Sequence, residues 1–274
     1  MSIRPNCAPG FGGMFKSEII QLISLHQLLW LLVIDAFLFP ALAALIVYFQ
    51  MVPSTEGTFV LWWPGADITF CLIGGMQVSY LLIPCVVAIA VGSGGAGGFV
   101  MQQIVSEPRR VLHVCSKAVI YGGVVFVLSL VCGGVAVFVG RWVLYVNDQI
   151  PDSTIGDAVG VVVRMSIVLL LLTWFALGVS YAVRKTGLAL AVMVSFLLIA
   201  PVILTLMPGL DKWSAVLPSI DMERFVFPWY DSGILNWMDP GKTGALGILG
   251  CWVVVAVLLG GCRYCFADCE RPQL

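Results

Sequence analysis

Six apolar stretches, each long enough to cross a bilayer, divide this chain: 28–50, 72–91, 118–140, 165–183, 188–207 and 245–261. A hydrocarbon core of roughly 30 Å takes about 20 helical residues. In lipid each backbone N–H and C=O must find its partner within its own element, so these stretches are expected to be helices. The predicted fold is therefore all-α and polytopic, with six transmembrane helices. Composition agrees: 60% of residues are hydrophobic and 11% charged, with a mean hydropathy of +1.02. Function is to be sought at or across a membrane.

Six spans and their loops use nearly all 274 residues. No stretch is long enough for a separate soluble domain, so the reading includes no catalytic domain of its own. The net charge of −1 gives no reason to expect a nucleic-acid partner. The nine cysteines are scattered rather than framed as disulfide pairs. Residues 1–13 are small and irregular, and the first apolar run is too long for a signal peptide.

Lys and Arg set the expected orientation. Arg4, Lys16, Arg109, Arg110, Lys117, Arg184, Lys185, Arg263 and Arg271 fall in one set of alternating segments. Arg141, Arg164, Lys212, Arg224 and Lys242 fall in the other, a split of nine to five. The positive-inside rule then places both termini in the cytoplasm. Arg164 stands just inside an apolar run and is expected to snorkel to the outer interface.

Five segments carry detail. Residues 1–13 read as a cytoplasmic tail. In 14–27, Phe15, Ile19, Leu22 and Ile23 share a helical face, with Ser17, Gln21 and Ser24 opposite. That suits an interfacial amphipathic helix, or else an extension of the first span. The longest cytoplasmic loop, 92–117, opens on Gly92-Ser-Gly-Gly-Ala-Gly-Gly98 and runs into Phe99-Val-Met-Gln-Gln-Ile-Val105. A phosphate loop needs Gly-Lys-Ser/Thr, and Phe99 follows instead, so the glycines read as a flexible exit. Residues 99–105 fit two short helical turns, which Pro108 cannot continue, leaving the basic corner Arg109-Arg110. The outer segment 208–242 is cut by Pro208, Pro218, Pro228 and Pro240 and carries Trp213, Trp229, Tyr230 and Trp237. Its stretch Phe225-Val-Phe-Pro-Trp-Tyr230 is too apolar to be freely solvated; it lies on the membrane or dips back into it. The tail, 263–274, follows Cys262 and holds Cys265 and Cys269, three thiols at helical spacing without a fourth ligand. Metal binding and incidental cysteines both remain open for them, and the reading assigns no metal.

Inside the spans, Asp35 is the one deep acid, about 10 Å in from the start of the first stretch at 1.5 Å per residue. It has no deep Lys, Arg or His to pair with, which argues against an ion relay. Hydrogen bonding to a neighbouring helix, or reaching Arg184 or Lys185, is the structural alternative. Pro40, Pro84 and Pro201 interrupt spans one, two and five and are candidate kinks. The halves show no internal repeat of the kind common in secondary transporters.

The assembled segments resemble an ABC transporter permease of the type-2, exporter class. Three passages carry the resemblance: Phe15-Lys-Ser-Glu-Ile-Ile-Gln-Leu-Ile-Ser-Leu25, Ser106-Glu-Pro-Arg-Arg-Val-Leu-His-Val-Cys-Ser-Lys-Ala118, and the fourth-span ending Leu177-Gly-Val-Ser-Tyr-Ala-Val-Arg-Lys-Thr-Gly187. The long outer segment before the last span fits as well. The chain departs from the family where the coupling helix begins, reading Ser93-Gly-Gly-Ala-Gly-Gly98 in place of an acid and a basic or aromatic residue.

The resemblance implies a six-helix permease domain over 28–262, in a bacterial plasma membrane, paired with itself or a sister permease. Separate ATP-binding cassette subunits would dock beneath and hold ATP and Mg; this chain would bind neither and would not be an enzyme. The coupling element would comprise Phe99, Met101, Gln102, Gln103, Ile104, Glu107, Arg109 and Arg110. Wholly apolar spans favour a hydrophobic or amphipathic cargo. The competing expectations are an ion-coupled secondary transporter and a non-transporting immunity or assembly protein.

Overall fold

The computed structural model describes residues 19–20, 22–23, 26–50, 66–96, 110–146, 153–183, 185–207, 216–227 and 241–266. Among these every regular element is helical. In chain order they are α1 (His26–Gln50), α2 (Ala66–Ala96), α3 (Arg110–Val146), α4 (Ile155–Val183), α5 (Thr186–Val194), a π-helical turn (Ser195–Ile199), α6 (Ala200–Leu206), α7 (Pro218–Val226) and α8 (Gly241–Phe266). α5, the π turn and α6 together form the fifth span. Six helices are thus long and apolar enough to cross a membrane, and the protein is an all-α, multi-pass membrane protein. Six crossings bring the start of α1 and the end of α8 to one end of the bundle, here called the terminal end.

The helices outrun the apolar stretches. α3 has 37 residues, which makes it about 55 Å long at 1.5 Å per residue, well beyond a hydrocarbon core. α2 continues through Gly92-Ser-Gly-Gly-Ala96, and α3 begins at Arg110. The segment expected as a loop over 92–117 is therefore helical at both ends. The glycines do not act as a flexible exit up to residue 96, since a helix already under way adds a bond for each residue fixed. α4 starts at Ile155, ten residues before the expected 165, because Arg164 does not interrupt it. The Arg164 side chain folds back along the helix and its Nε donates to the Gly160 carbonyl at 3.1 Å. The first turn of α4 is closed by a reciprocal cap. Asp157 N–H donates to Thr154 Oγ1 at 3.2 Å, and Thr154 N–H donates to Asp157 Oδ2 at 3.2 Å. Arg141 of α3 clasps this turn, donating through Nη2 to the Ser153 and Thr154 carbonyls at 2.9 and 3.1 Å.

α4 is the central helix. It packs on α2, α3, α8, α7 and α5, and Met165, Val168, Leu169 and Leu172 on it are buried. Its buried hydroxyls are satisfied within the helix: Ser166 donates to the Val162 carbonyl at 2.9 Å and Thr173 to the Leu169 carbonyl at 2.8 Å. Trp174 donates from Nε1 to the Ala118 carbonyl of α3 at 3.0 Å. The outer surface bears Trp30, Phe37, Phe138, Trp142, Leu258 and Leu259, side chains that lipid solvates. Near α1, Ile19, Ile20, Leu22 and Ile23 are helical; Leu22 is buried, while the three isoleucines are exposed.

α4 and α8 touch backbone to backbone. A methyl group at Gly178 would press on main-chain atoms of Ala256 and Val257, and one at Gly260 on the main chain of Gly178. Without a hydrophobic drive between helices in lipid, such small-residue crossings bring the dispersion contacts that hold them together. Gly178→Val is expected to destabilise the protein by about 2 kcal/mol or more, as overpacking does. Gly247→Ala, which meets nothing within 4 Å, should leave the thermal midpoint in detergent unchanged. Equal midpoints for the two variants would show that this crossing is not close-packed.

Candidate functional site

Ser116, Lys117 and Ser180 are among the buried polar groups, and two further places in the bundle hold acids. The first lies among α1, α2 and α3. Asp35, 5% exposed, accepts a hydrogen bond from Ser79 Oγ of α2 at 2.8 Å. Cys132 of α3, also buried, lies within electrostatic reach of the same carboxyl. The deep acid of α1 thus meets a neighbouring helix through a hydroxyl.

The second place is at the end of the bundle opposite the termini, where the segment after the fifth span turns back. α7 is short because Pro218 opens it in the first turn and the backbone turns out of helical geometry at Phe227. Phe227, Val226 and Met222 are completely buried and belong to the main apolar core. Val216 and Leu217 lead into it, and the Val216 carbonyl accepts from Trp252 Nε1 at 2.9 Å. Trp252 stands nine residues after Thr243, where the last span begins, about 13 Å along the helix. The segment therefore packs into the bundle; of the apolar stretch at 225–230, the described Val226 and Phe227 are buried. Val216 at its entrance is exposed, and 228–240 lie outside the described residues.

α7 carries two acids into this setting. Glu223 accepts from Gln77 Nε2 of α2 at 2.7 Å, and its charge reaches the buried Tyr80 hydroxyl, which has no hydrogen-bond partner among the described residues. Burial raises the Glu223 carboxyl above the usual range, against the lowering effect of the Gln77 bond. Asp221 is fully buried, and neither carboxyl oxygen makes a hydrogen bond to a described residue. Its nearest charge is Arg224, whose Nη1 is 4.0 Å from Oδ1. Burial pushes Asp221 up to about 7, opposed by that guanidinium.

Beside α7 the fifth span is broken. Pro201 has no N–H to give the carbonyl four residues back, and the helix widens ahead of it into the π turn, where Ala200 N–H reaches the Ser195 carbonyl. Phe196, in that turn, stacks on Phe175 of α4 with centroids 6.0 Å apart and meets Trp252 edge-on at 4.8 Å. α1 and α2 run without interruption past Pro40 and Pro84.

Of the coupling residues, Phe99, Met101, Gln102, Gln103, Ile104, Glu107 and Arg109 lie outside the described residues, and Arg110 opens α3. Cys262 is exposed; Cys265 is in the last turn of α8, and Cys269 lies outside the described residues. Among the described residues no group of three His, Cys, Asp or Glu is placed to hold a metal ion. The residues that sequence reasoning did not single out are Ser79, Gln77, Tyr80, Asp221, Glu223 and Trp252. The acids were legible only as outer-loop charges. The available signal was the prolines and aromatic residues around them, which marked the segment as membrane-bound without marking its register.

No protein-family model matches this chain, and comparison with curated proteins finds no match.

Two predictions follow from the geometry. Asp35→Asn keeps an acceptor for Ser79 and should leave the thermal midpoint nearly unchanged. Ser79→Ala strands a buried carboxyl and should cost about 1–3 kcal/mol; equal stability of the two variants would rule out a structural role for the bond. Trp252→Phe retains a ring against Phe196 but leaves the Val216 carbonyl bare. In a cysteine-free background, a thiol at Ser219, which is buried, should then react severalfold faster with an impermeant maleimide than in the Trp252 parent. An unchanged rate would mean that this hydrogen bond does not hold the segment in place.

Proposed function

We propose that this protein is the membrane-spanning subunit of an ATP-driven exporter of the ABC type-2 class. It would form the path for a hydrophobic or amphipathic cargo, powered by separate ATP-binding subunits and paired with a second permease. The observation that carries this reading is α7, packed on the last and fourth spans beside the π turn of the fifth. A rigid helical bundle has no need of a polar wedge in its apolar interior. A bundle that must part to release cargo needs an element that fills the path and can leave it. The permease-like passages at 15–25, 106–118 and 177–187 support the same reading. The nine-to-five Lys/Arg split supports cytoplasmic termini, and the resemblance would put the protein in a plasma membrane.

On this reading ATP-driven motion enters at 97–109, between α2 and α3. The turn between α4 and α5 is only a few residues long and offers no comparable docking surface. Phe99, Met101 and Ile104 would fill a groove on the ATPase, with Arg109 and Arg110 at its acidic rim. Apolar anchors of this kind usually contribute more than rim charge. Replacing Met101 and Ile104 by Asp is expected to abolish co-purification of the ATPase and to reduce ATP-dependent cargo export at least tenfold. The protein itself should remain membrane-inserted. Wild-type association and export in that variant would remove the coupling loop, and with it the ABC assignment.

An ion-coupled transporter is the second reading, favoured by one observation. Glu223 and Asp221 bring to two the acids that α7 carries into the bundle, alongside Asp35. Export that continues without ATP but collapses with the ion gradient would select it.

A further inference from the structure

α7 combines features that make its seat conditional. It is held by apolar burial of Met222, Val226 and Phe227 and by the Trp252–Val216 hydrogen bond. Against these, it carries the fully buried Asp221 and the partly buried Glu223. An ionised carboxylate away from water is costly unless it is paired and hydrogen-bonded. Neither acid meets that condition: Glu223 has a neutral amide, and Asp221 has a guanidinium 4.0 Å away with no hydrogen bond between them.

Arg224 is the cation that the described side chains place against α7; Lys242 also lies on α8, with its side chain outside the described residues. α2 contributes Gln77 and Tyr80, both neutral. α8 has no Asp, Glu, Lys or Arg between Thr243 and Cys262; its thiol Cys251 is exposed. The fifth span has no charged residue from Thr186 to Met207. At the same end of α4, Asp157 is engaged by Thr154 and Arg164 by the Gly160 carbonyl. On α7 itself Arg224 is the one cation.

We propose that α7 is a proton-sensitive plug: it seats in the bundle with Asp221 and Glu223 protonated, and it withdraws toward water when they ionise. The device rests on the fold and holds whichever energy source drives the protein. Its sign follows from linkage. Asp221 has an ordinary value of 3.8 in water and about 7 when seated, and Glu223 is raised in the same direction. The protonated carboxyls favour seating fully below about pH 4, and that advantage is lost as pH rises through about 7. Between those limits each pH unit shifts the seating equilibrium by up to about tenfold per carboxyl. Alkaline pH at the end opposite the termini therefore loosens that end, and acid closes it.

The test uses the full chain in proteoliposomes, cysteine-free except for nitroxides at Val216 and Val146. Both positions are exposed, one at the entrance to α7 and one at the end of α3. Electron–electron double resonance should give a single short distance at pH 5 and a growing longer population towards pH 8. Asp221→Asn with Glu223→Gln should hold the short distance throughout that range. Each single variant should move the midpoint toward alkaline pH, so the result survives if the double variant folds poorly. A wild-type distance distribution that does not change with pH would overturn the proposal. So would an identical pH response in the neutral variants. Because this readout needs neither ATP nor cargo, its failure is separate from any failure of the exporter reading.

Discussion

Trp252 is the contact through which the outer half of the bundle is tied together. Its ring meets Phe196 in the π turn, and Phe196 stacks on Phe175 of the central helix. Its Nε1–H takes the Val216 carbonyl, so one side chain of the last span joins the fifth span, the fourth span and the segment leading into α7. That carbonyl could otherwise be satisfied only by water or a polar neighbour. In an apolar interior an unmet backbone group costs about as much as a lost hydrogen bond or more. The indole thus ties the non-helical backbone at 216–217 to the last span.

The same rule explains how the rest of the interior treats polar groups. Ser166 and Thr173 bond within their own helix, Asp35 is met by Ser79, and Trp174 finds the Ala118 carbonyl. These are local solutions, each inside one helix or between two neighbours, and they stiffen the bundle. α7 departs from them. Its acids are carried on a nine-residue helix that is not part of a span.

The sequence makes the spans legible because length and hydropathy alone determine them; five of the six expected cores fall within observed helices, and the fifth, 188–207, overruns its helix by one residue. It also makes Pro201 legible as a break, and the structure adds that the helix widens there instead of stopping. Pro40 and Pro84 could not be told apart from Pro201 by sequence, since the outcome depends on what the neighbouring turn packs against. The ends of α2, α3 and α4 were misjudged for a related reason. Glycine and arginine were read by local propensity, whereas a helix already propagating absorbs Gly92–Ala96 and a folded-back Arg164. The candidate site was least legible. Gln77 and Tyr80 are unremarkable letters in an apolar run, and Asp221 and Glu223 look like solvated loop acids. Only the packing of α7 brings Gln77 to Glu223, 146 residues apart in sequence.

The two ends of the bundle are sealed by different forces. At the terminal end Leu28, Val86, Ala90 and Tyr121 form one apolar cluster, and Val87, Ala176, Ala189 and Met193 form another. Parting them exposes hydrocarbon, at about 25 cal/mol for each Å² that meets water; Ser116 and Lys117 of α3 are buried at the same end. At the opposite end the closure includes α7, whose apolar contacts are opposed by the desolvation of two carboxyls. Desolvating those carboxyls works against the seating of α7, so the apolar contacts of Met222, Val226 and Phe227 must outweigh it for that end to stay closed.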